Sequence, residues 1–228
     1  MKNEVTQKLN STLDFIRKNY WPVFIISVPI LIVNEIVNLI LYNLFLDNEN
    51  ILFLLTFLFG LLLNGLLGVT LIFIIYNIHF KKSFTKSEIS HFILKNIIYV
   101  SVCLFVINFV TRIGIILLIV PGIYLASRLA MTPYFLCLDN VKLIQSFNLS
   151  WEYSKKDFWV IFICISIIAI PAIFLLFIQV FIESQIIISI ISILISINVI
   201  IGYILIFYFY LDIRSYLNRV YSNSDKNE

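Results

Sequence analysis

The sequence predicts an all-α polytopic membrane helix bundle, with six transmembrane helices and both termini on the cytoplasmic side. Three observations carry that prediction. Of its 228 residues 61% are hydrophobic and 13% charged, with a mean hydropathy of +1.01, whereas soluble domains run at about 45–50% apolar and about 25% charged. Apolar runs recur at close to the roughly 20 residues that cross about 30 Å of hydrocarbon. Finally, the basic residues are sorted into alternate polar segments, so the small net charge of +3 reports topology rather than attraction to nucleic acid, which is not an expected partner.

Residues 5–20 place Val5, Leu9, Leu13, Ile16 and Tyr20 near one helical face, the pattern of an amphipathic helix lying in the membrane interface. Span 1 is expected over 21–42, bounded by Trp21 and Tyr42 where aromatic belts form. It contains Asn34, Glu35 and Asn38 and no small-residue cleavage site follows it, so a cleaved signal peptide is not expected. The link to span 2 carries Asp47 and Glu49 and no basic residue. Span 2, 51–78, has Gly60, Asn64 and Gly68 at i, i+4, i+8 with Gly65 beside them, a groove of small residues for close helix approach.

The basic loop after span 2 contains Thr85 and Glu88 at capping-box spacing, so a helix should begin near Lys86 and become span 3 over 97–120. Pro121-Gly122 is the expected hinge into a short span 4, 122–138, because proline removes an N–H and glycine admits unusual backbone angles. In 139–157, Val141, Ile144, Phe147, Trp151 and Phe158 recur every three or four residues, predicting a second interfacial helix capped by Asp139. Span 5, 158–181, should kink at Pro171. A link with Glu183 leads to span 6, 185–213, where Ser189, Ser192 and Ser196 have helix-packing spacing. The whole chain, 1–228, reads as a single integral membrane domain.

Orientation follows from the basic residues. Lys2, Lys8, Arg17 and Lys18 precede span 1, Lys81, Lys82, Lys86 and Lys95 lie between spans 2 and 3, Lys142, Lys155 and Lys156 between spans 4 and 5, and Arg214, Arg219 and Lys226 close the chain. Only Arg112 and Arg128 of the 16 fall elsewhere. By the positive-inside rule these segments are cytoplasmic. A re-entrant hairpin of spans 3 and 4 would give the same sidedness.

Pro121, Gly122, Ile123, Ala126, Leu129, Ala130 and Pro133, followed by Asp139 and the Ser146–Ser150 region, resemble the YciC-like family of bacterial inner-membrane proteins. That family is related to the membrane domains fused to some glycerophosphodiester phosphodiesterases. Residues Thr12 to Tyr20 also look like the family's opening segment, and Ser127 and Arg128 depart from its aliphatic pattern. The resemblance implies a multi-pass protein of the bacterial inner membrane. No phosphodiesterase domain is attached here, so that activity does not carry over.

The candidate site residues are the charges within spans. At about 1.5 Å per residue along straight helices, Glu35, Arg112 and Arg128 all fall in the outer third of the membrane, with Asn108 one turn from Arg112. Charges there are costly unless paired, so they suggest a polar cluster or an anionic lipid contact, set against a structural ion pair or snorkelling arginines. His79 and His91 lack metal-ligand company. Cys103, Cys137 and Cys164 sit in apolar runs as packing residues. Neither a catalytic set, a metal site nor a cofactor is expected. The functional expectation is a non-enzymatic accessory, scaffold or lipid-interacting envelope component whose partners are membrane lipids or another membrane protein. The alternative is a small permease or exporter subunit.

Overall fold

Long runs of Leu, Ile and Phe leave the helix as the structure that satisfies every backbone group without water. The structure is a computed structural model that describes residues 1–45, 48–182 and 184–224; Asp47, Glu183 and Lys226 of the charge reading lie outside the described residues. Among the described residues it contains eight helices and no strand: α1 Lys2–Leu44, α2 Glu49–His79, α3 Lys86–Leu117, α4 Ile119–Leu129, α5 Thr132–Leu138, α6 Leu143–Tyr153, α7 Phe158–Gln179 and α8 Gln185–Ser224. Five of them, α1, α2, α3, α7 and α8, are long and apolar enough to cross a membrane.

The core lies where α2, α5 and α8 meet. Leu71, Ile72 and Ile75 of α2, Tyr134 and Phe135 of α5, and Ile204, Phe207 and Tyr210 of α8 are essentially inaccessible. The seven-residue α5 is buried from Thr132 to Cys137, a plug around which the long helices close. By contrast Phe53, Ile116, Phe174 and Val180 are well exposed, the outward apolar surface expected of helices that face lipid.

α1 and α8 run antiparallel along nearly their full length. Lys8 Nζ pairs with the Asp212 carboxylate and donates to the Tyr208 carbonyl at 3.1 Å, the Phe15 ring meets the edge of Tyr208 at 6.4 Å, and Glu35 faces Ser189 and Ser192 across a cleft. This alters the expectation for residues 5–20. They form a helix, and the backbone departs from helical angles at Asn19, but Val5 and Phe15 are buried in the main core. Only Leu13 and Tyr20 of the predicted stripe stay exposed.

At the start of α3 the capping box forms as expected: the Thr85 N–H donates to Glu88 Oε2 at 2.7 Å and the Glu88 N–H to Thr85 Oγ1 at 3.3 Å. The glycine groove of α2 is rotated from the one expected. A Cβ on Gly65 would strike Ser101 of α3, and one on Gly68 would lie 2.6 Å from the Tyr203 hydroxyl of α8, while Gly60 has nothing within 4 Å and Asn64 is exposed. Gly65 and Gly68 therefore set the close approach.

The hinge also moves. The chain turns at Leu118, whose extended backbone (φ −163°, ψ 141°) separates α3 from α4. Pro121 and Gly122 sit inside the first turn of α4, where a missing N–H costs no intrahelical bond. Gly122 serves packing: a Cβ on Gly114 would lie 2.7 Å from Gly122 Cα, so the two glycines let α3 and α4 touch backbone to backbone. The expected span 4 is not one helix. It breaks at Ala130-Met131 into α4 and α5, with Pro133 in the first turn of α5.

Candidate functional site

The four residues singled out as a polar cluster separate in the fold. Helix α7 spans about 33 Å at 1.5 Å per residue and acts as a ruler between them. At its first turn, Phe158 packs on Tyr124 of α4 with ring centroids 5.2 Å apart, one turn before Arg128. At its last turn, the Gln179 amide donates to Ser192 Oγ at 3.1 Å, and Ser192 lines the cleft that holds Glu35. Glu35 and Arg128 thus belong to opposite ends of the bundle. The depth reckoning that joined them took Gly122 as the outer end of span 4, whereas Tyr124, two residues on, already packs on the first turn of α7. Arg112 and Asn108 are exposed on α3, with no ion pair to Glu35 or Arg128 among the described residues.

Arg128 has the unusual environment. It is 3% exposed, its Nε has no hydrogen-bond partner, and among the described residues no carboxylate comes within ion-pair distance of it. Its guanidinium lies 4.5 Å from the centre of the Trp151 ring. A cation–π contact contributes about 0.5–2 kcal/mol, whereas taking a charge out of water costs several kcal/mol even after relaxation. The aromatic contact is too small to offset that cost, so the site as built is short of negative charge.

Helix α6 explains why the site exists. Its buried face is Ser146 and Ser150, continued by Ser154 at its C-cap, spaced four residues apart, while Ile144 (76% exposed) and Trp151 (38%) point outward. Small hydroxyls let α6 approach α4 closely, and Ser150 Oγ donates to the Arg128 carbonyl at 2.8 Å with Ser154 Oγ adding a weaker contact at 3.4 Å. That pins the backbone of Arg128 and sets Trp151 over its side chain. The serine periodicity is present in the sequence; reading α6 by its large apolar residues alone hides it.

A second polar arrangement joins α5 to α8. Asp139 was expected to cap α6, but it ends α5 instead, and the N-cap of α6 is Lys142, with no side-chain cap bond. Tyr210 Oη donates to both Asp139 oxygens at 3.0 Å and Arg214 lies 3.5 Å from one of them. Burial raises the Asp139 carboxyl above its ordinary value, and the Tyr210 hydrogen bond and the Arg214 charge pull it partly back. Because the folded pKa is the higher one, folding takes up a proton here: the contribution is complete below the ordinary carboxylate pKa and fades as pH rises through the raised one. Tyr210→Phe removes a hydrogen bond to a charged group and is expected to lower stability by about 1.5–3 kcal/mol at neutral pH, with the loss shrinking once Asp139 is protonated. Thermal unfolding from acidic to neutral pH checks both points.

Comparison of the chain with models of protein families, with curated proteins and with solved structures gives no match.

Proposed function

We propose that this chain is a non-enzymatic, lipid-interacting component of a bacterial inner membrane, and that it holds the phosphate of an anionic amphiphile on Arg128 beneath Trp151. The observation that carries the reading is the buried guanidinium without an acid. A phosphate supplies the missing charge and matches the planar fork of arginine donors. Tyr124 (40% exposed) and Trp151 form the rim of the site, the residue types that favour the membrane interface. Lys155 and Lys156, exposed just after α6, add to the local attraction for anionic lipid.

The same reading takes the chain across the membrane six times with both termini cytoplasmic. Five crossings would leave the termini on opposite sides, whereas the Lys8–Asp212 pair joins the N-terminal segment to the far part of α8. The broken α4–α5 pair then brings the chain back to the cytoplasmic side. The basic residues gathered at that end support its cytoplasmic orientation. Kinship with the YciC-like family is part of the same proposal.

A small permease or exporter subunit is the second reading. It is favoured by the helix break at Ala130-Met131 beside Arg128, because discontinuous helices build many solute sites. In phosphatidylcholine nanodiscs, wild type is expected to gain about 2.7 kcal/mol of stability when phosphatidylglycerol is present at about a hundred times its Kd, and Arg128→Gln to gain none. Equal gains in both proteins would overturn the lipid reading. Solute flux lost in Arg128→Gln, without lipid-dependent stabilisation of wild type, would favour the permease.

A further inference from the structure

At the other end of the bundle, α1, α2 and α8 enclose a cleft of about 400 Å³ whose polar lining comes from Glu35, Asn38, Tyr42, Thr56, Ser189 and Ser192. The charge balance here is the reverse of that at Arg128. Among the described residues Glu35 is the one charged residue lining the cleft, and no Lys or Arg contributes to it. Glu35 has no ion-pair partner among the described residues. Thr56 commits its proton to the Leu52 carbonyl at 2.7 Å, and Ser192 Oγ takes the Gln179 amide at its back. Thr56 and Ser192 therefore turn acceptor oxygens toward the side of the Glu35 carboxylate. Its mouth is apolar: Leu39 and Phe53 also line it and are 39% and 73% exposed.

We infer that this cleft binds an organic ammonium group carried on an apolar body, with Glu35 as its counter-ion and Asn38 and the hydroxyls as acceptors for any N–H. The Glu35 carboxyl and the oxygens beside it disfavour an anion. A strongly hydrated inorganic cation gains nothing from the apolar rim of Leu39 and Phe53, whereas an ammonium with a hydrocarbon chain gains from both the acid and that rim. The same chemistry is offered by the amine head of a membrane lipid and by a free cationic amphiphile. The cleft stands apart from Arg128 and needs nothing of that site.

The test is titration of dodecyltrimethylammonium, below its micelle concentration, into the protein in phosphatidylglycerol nanodiscs, followed by calorimetry. Wild type should bind saturably. Glu35→Gln, which keeps the shape, should weaken binding by about tenfold or more, and Asn38→Asp, which adds a second carboxylate, should strengthen it. Repeating the titration with phosphatidylethanolamine in the disc separates the sources. Competition identifies the lipid head as occupant, and its absence identifies a free amphiphile; both uphold the site. Absence of saturable binding in wild type, or equal affinity in wild type, Glu35→Gln and Asn38→Asp, would overturn it. The Asn38→Asp gain keeps the test decisive if Glu35→Gln does not fold.

Discussion

Gly114→Ala is expected to destabilise the protein by about 1–3 kcal/mol, the cost of forcing extra atoms into a filled contact. The added Cβ would stand 2.7 Å from Gly122 Cα and 2.9 Å from Gly122 N. Both are backbone atoms, so no side-chain rotation relieves the clash and α4 must move as a body. Gly122→Ala meets the same wall from the other side, with Ile115 N at 2.7 Å. Because either change opens the same hairpin, the double variant should cost much less than the sum of the two. The effect should also reach the site, since α4 carries Arg128 and any shift strains its contacts with Ser150 and Ser154. Gly60→Ala is the control. Nothing lies within 4 Å of its Cβ position, and replacing glycine in a helix interior by alanine gains up to about 1 kcal/mol. Thermal unfolding of wild type and the four variants in one nanodisc composition, with Arg128-dependent lipid binding as the second readout, checks the set.

Arg128→Met should change the sign of its effect with the lipid. Without an anion, wild type carries an uncompensated buried guanidinium, and an apolar side chain of similar length should stabilise the fold by at least about 1 kcal/mol. With an anionic lipid in excess, wild type gains the binding free energy and the methionine variant does not, so the order of stability reverses. Arg128→Lys should fall between them: it keeps the charge but gives up the planar fork and much of the stacking on Trp151. A variant series measured in phosphatidylcholine and again in phosphatidylglycerol shows the crossing directly. If methionine were the more stable residue in both lipids, the arginine would be a strained structural feature with no anion to hold.

Much of the fold was legible in the sequence, for identifiable reasons. The five long helices follow from apolar length, and the start of α3 follows from Thr85 and Glu88, whose side chains reach only the backbone groups that a helix start leaves free. The turn between α3 and α4 was read one turn late. Leu118 lies in the unbroken run Ile115 to Val120, and a turn that faces lipid keeps apolar residues where a soluble protein would switch to polar ones. For the same reason the glycines of α2 could be found but not oriented: residues toward lipid and residues toward the core are equally apolar, so composition does not separate Gly60 from Gly65 and Gly68.

The site was legible residue by residue but not in its assembly. Glu35 and Arg128 stand out as charges in apolar runs. Their pairing depended on depth, and depth depended on Gly122 lying at the outer end of a span. The packing of Tyr124 on Phe158 and the bonds from Ser150 and Ser154 place Arg128 with α6 and the first turn of α7, far from Glu35. Asp139 shows a similar limit. As a residue before a helix it looks like a cap, but a cap is a local choice, and the hydroxyl of Tyr210, 71 positions away, offered the carboxylate a partner that no local pattern reveals.

The central claim, that Arg128 holds an anionic phosphate group, is tested most directly by native mass spectrometry of wild type and Arg128→Met released from nanodiscs of mixed phosphatidylglycerol and phosphatidylcholine. The account predicts that wild type leaves the disc with phosphatidylglycerol bound in a defined ratio, and that the folded Arg128→Met protein has lost that adduct. Retention of the same lipid in the same ratio by the methionine variant would contradict it.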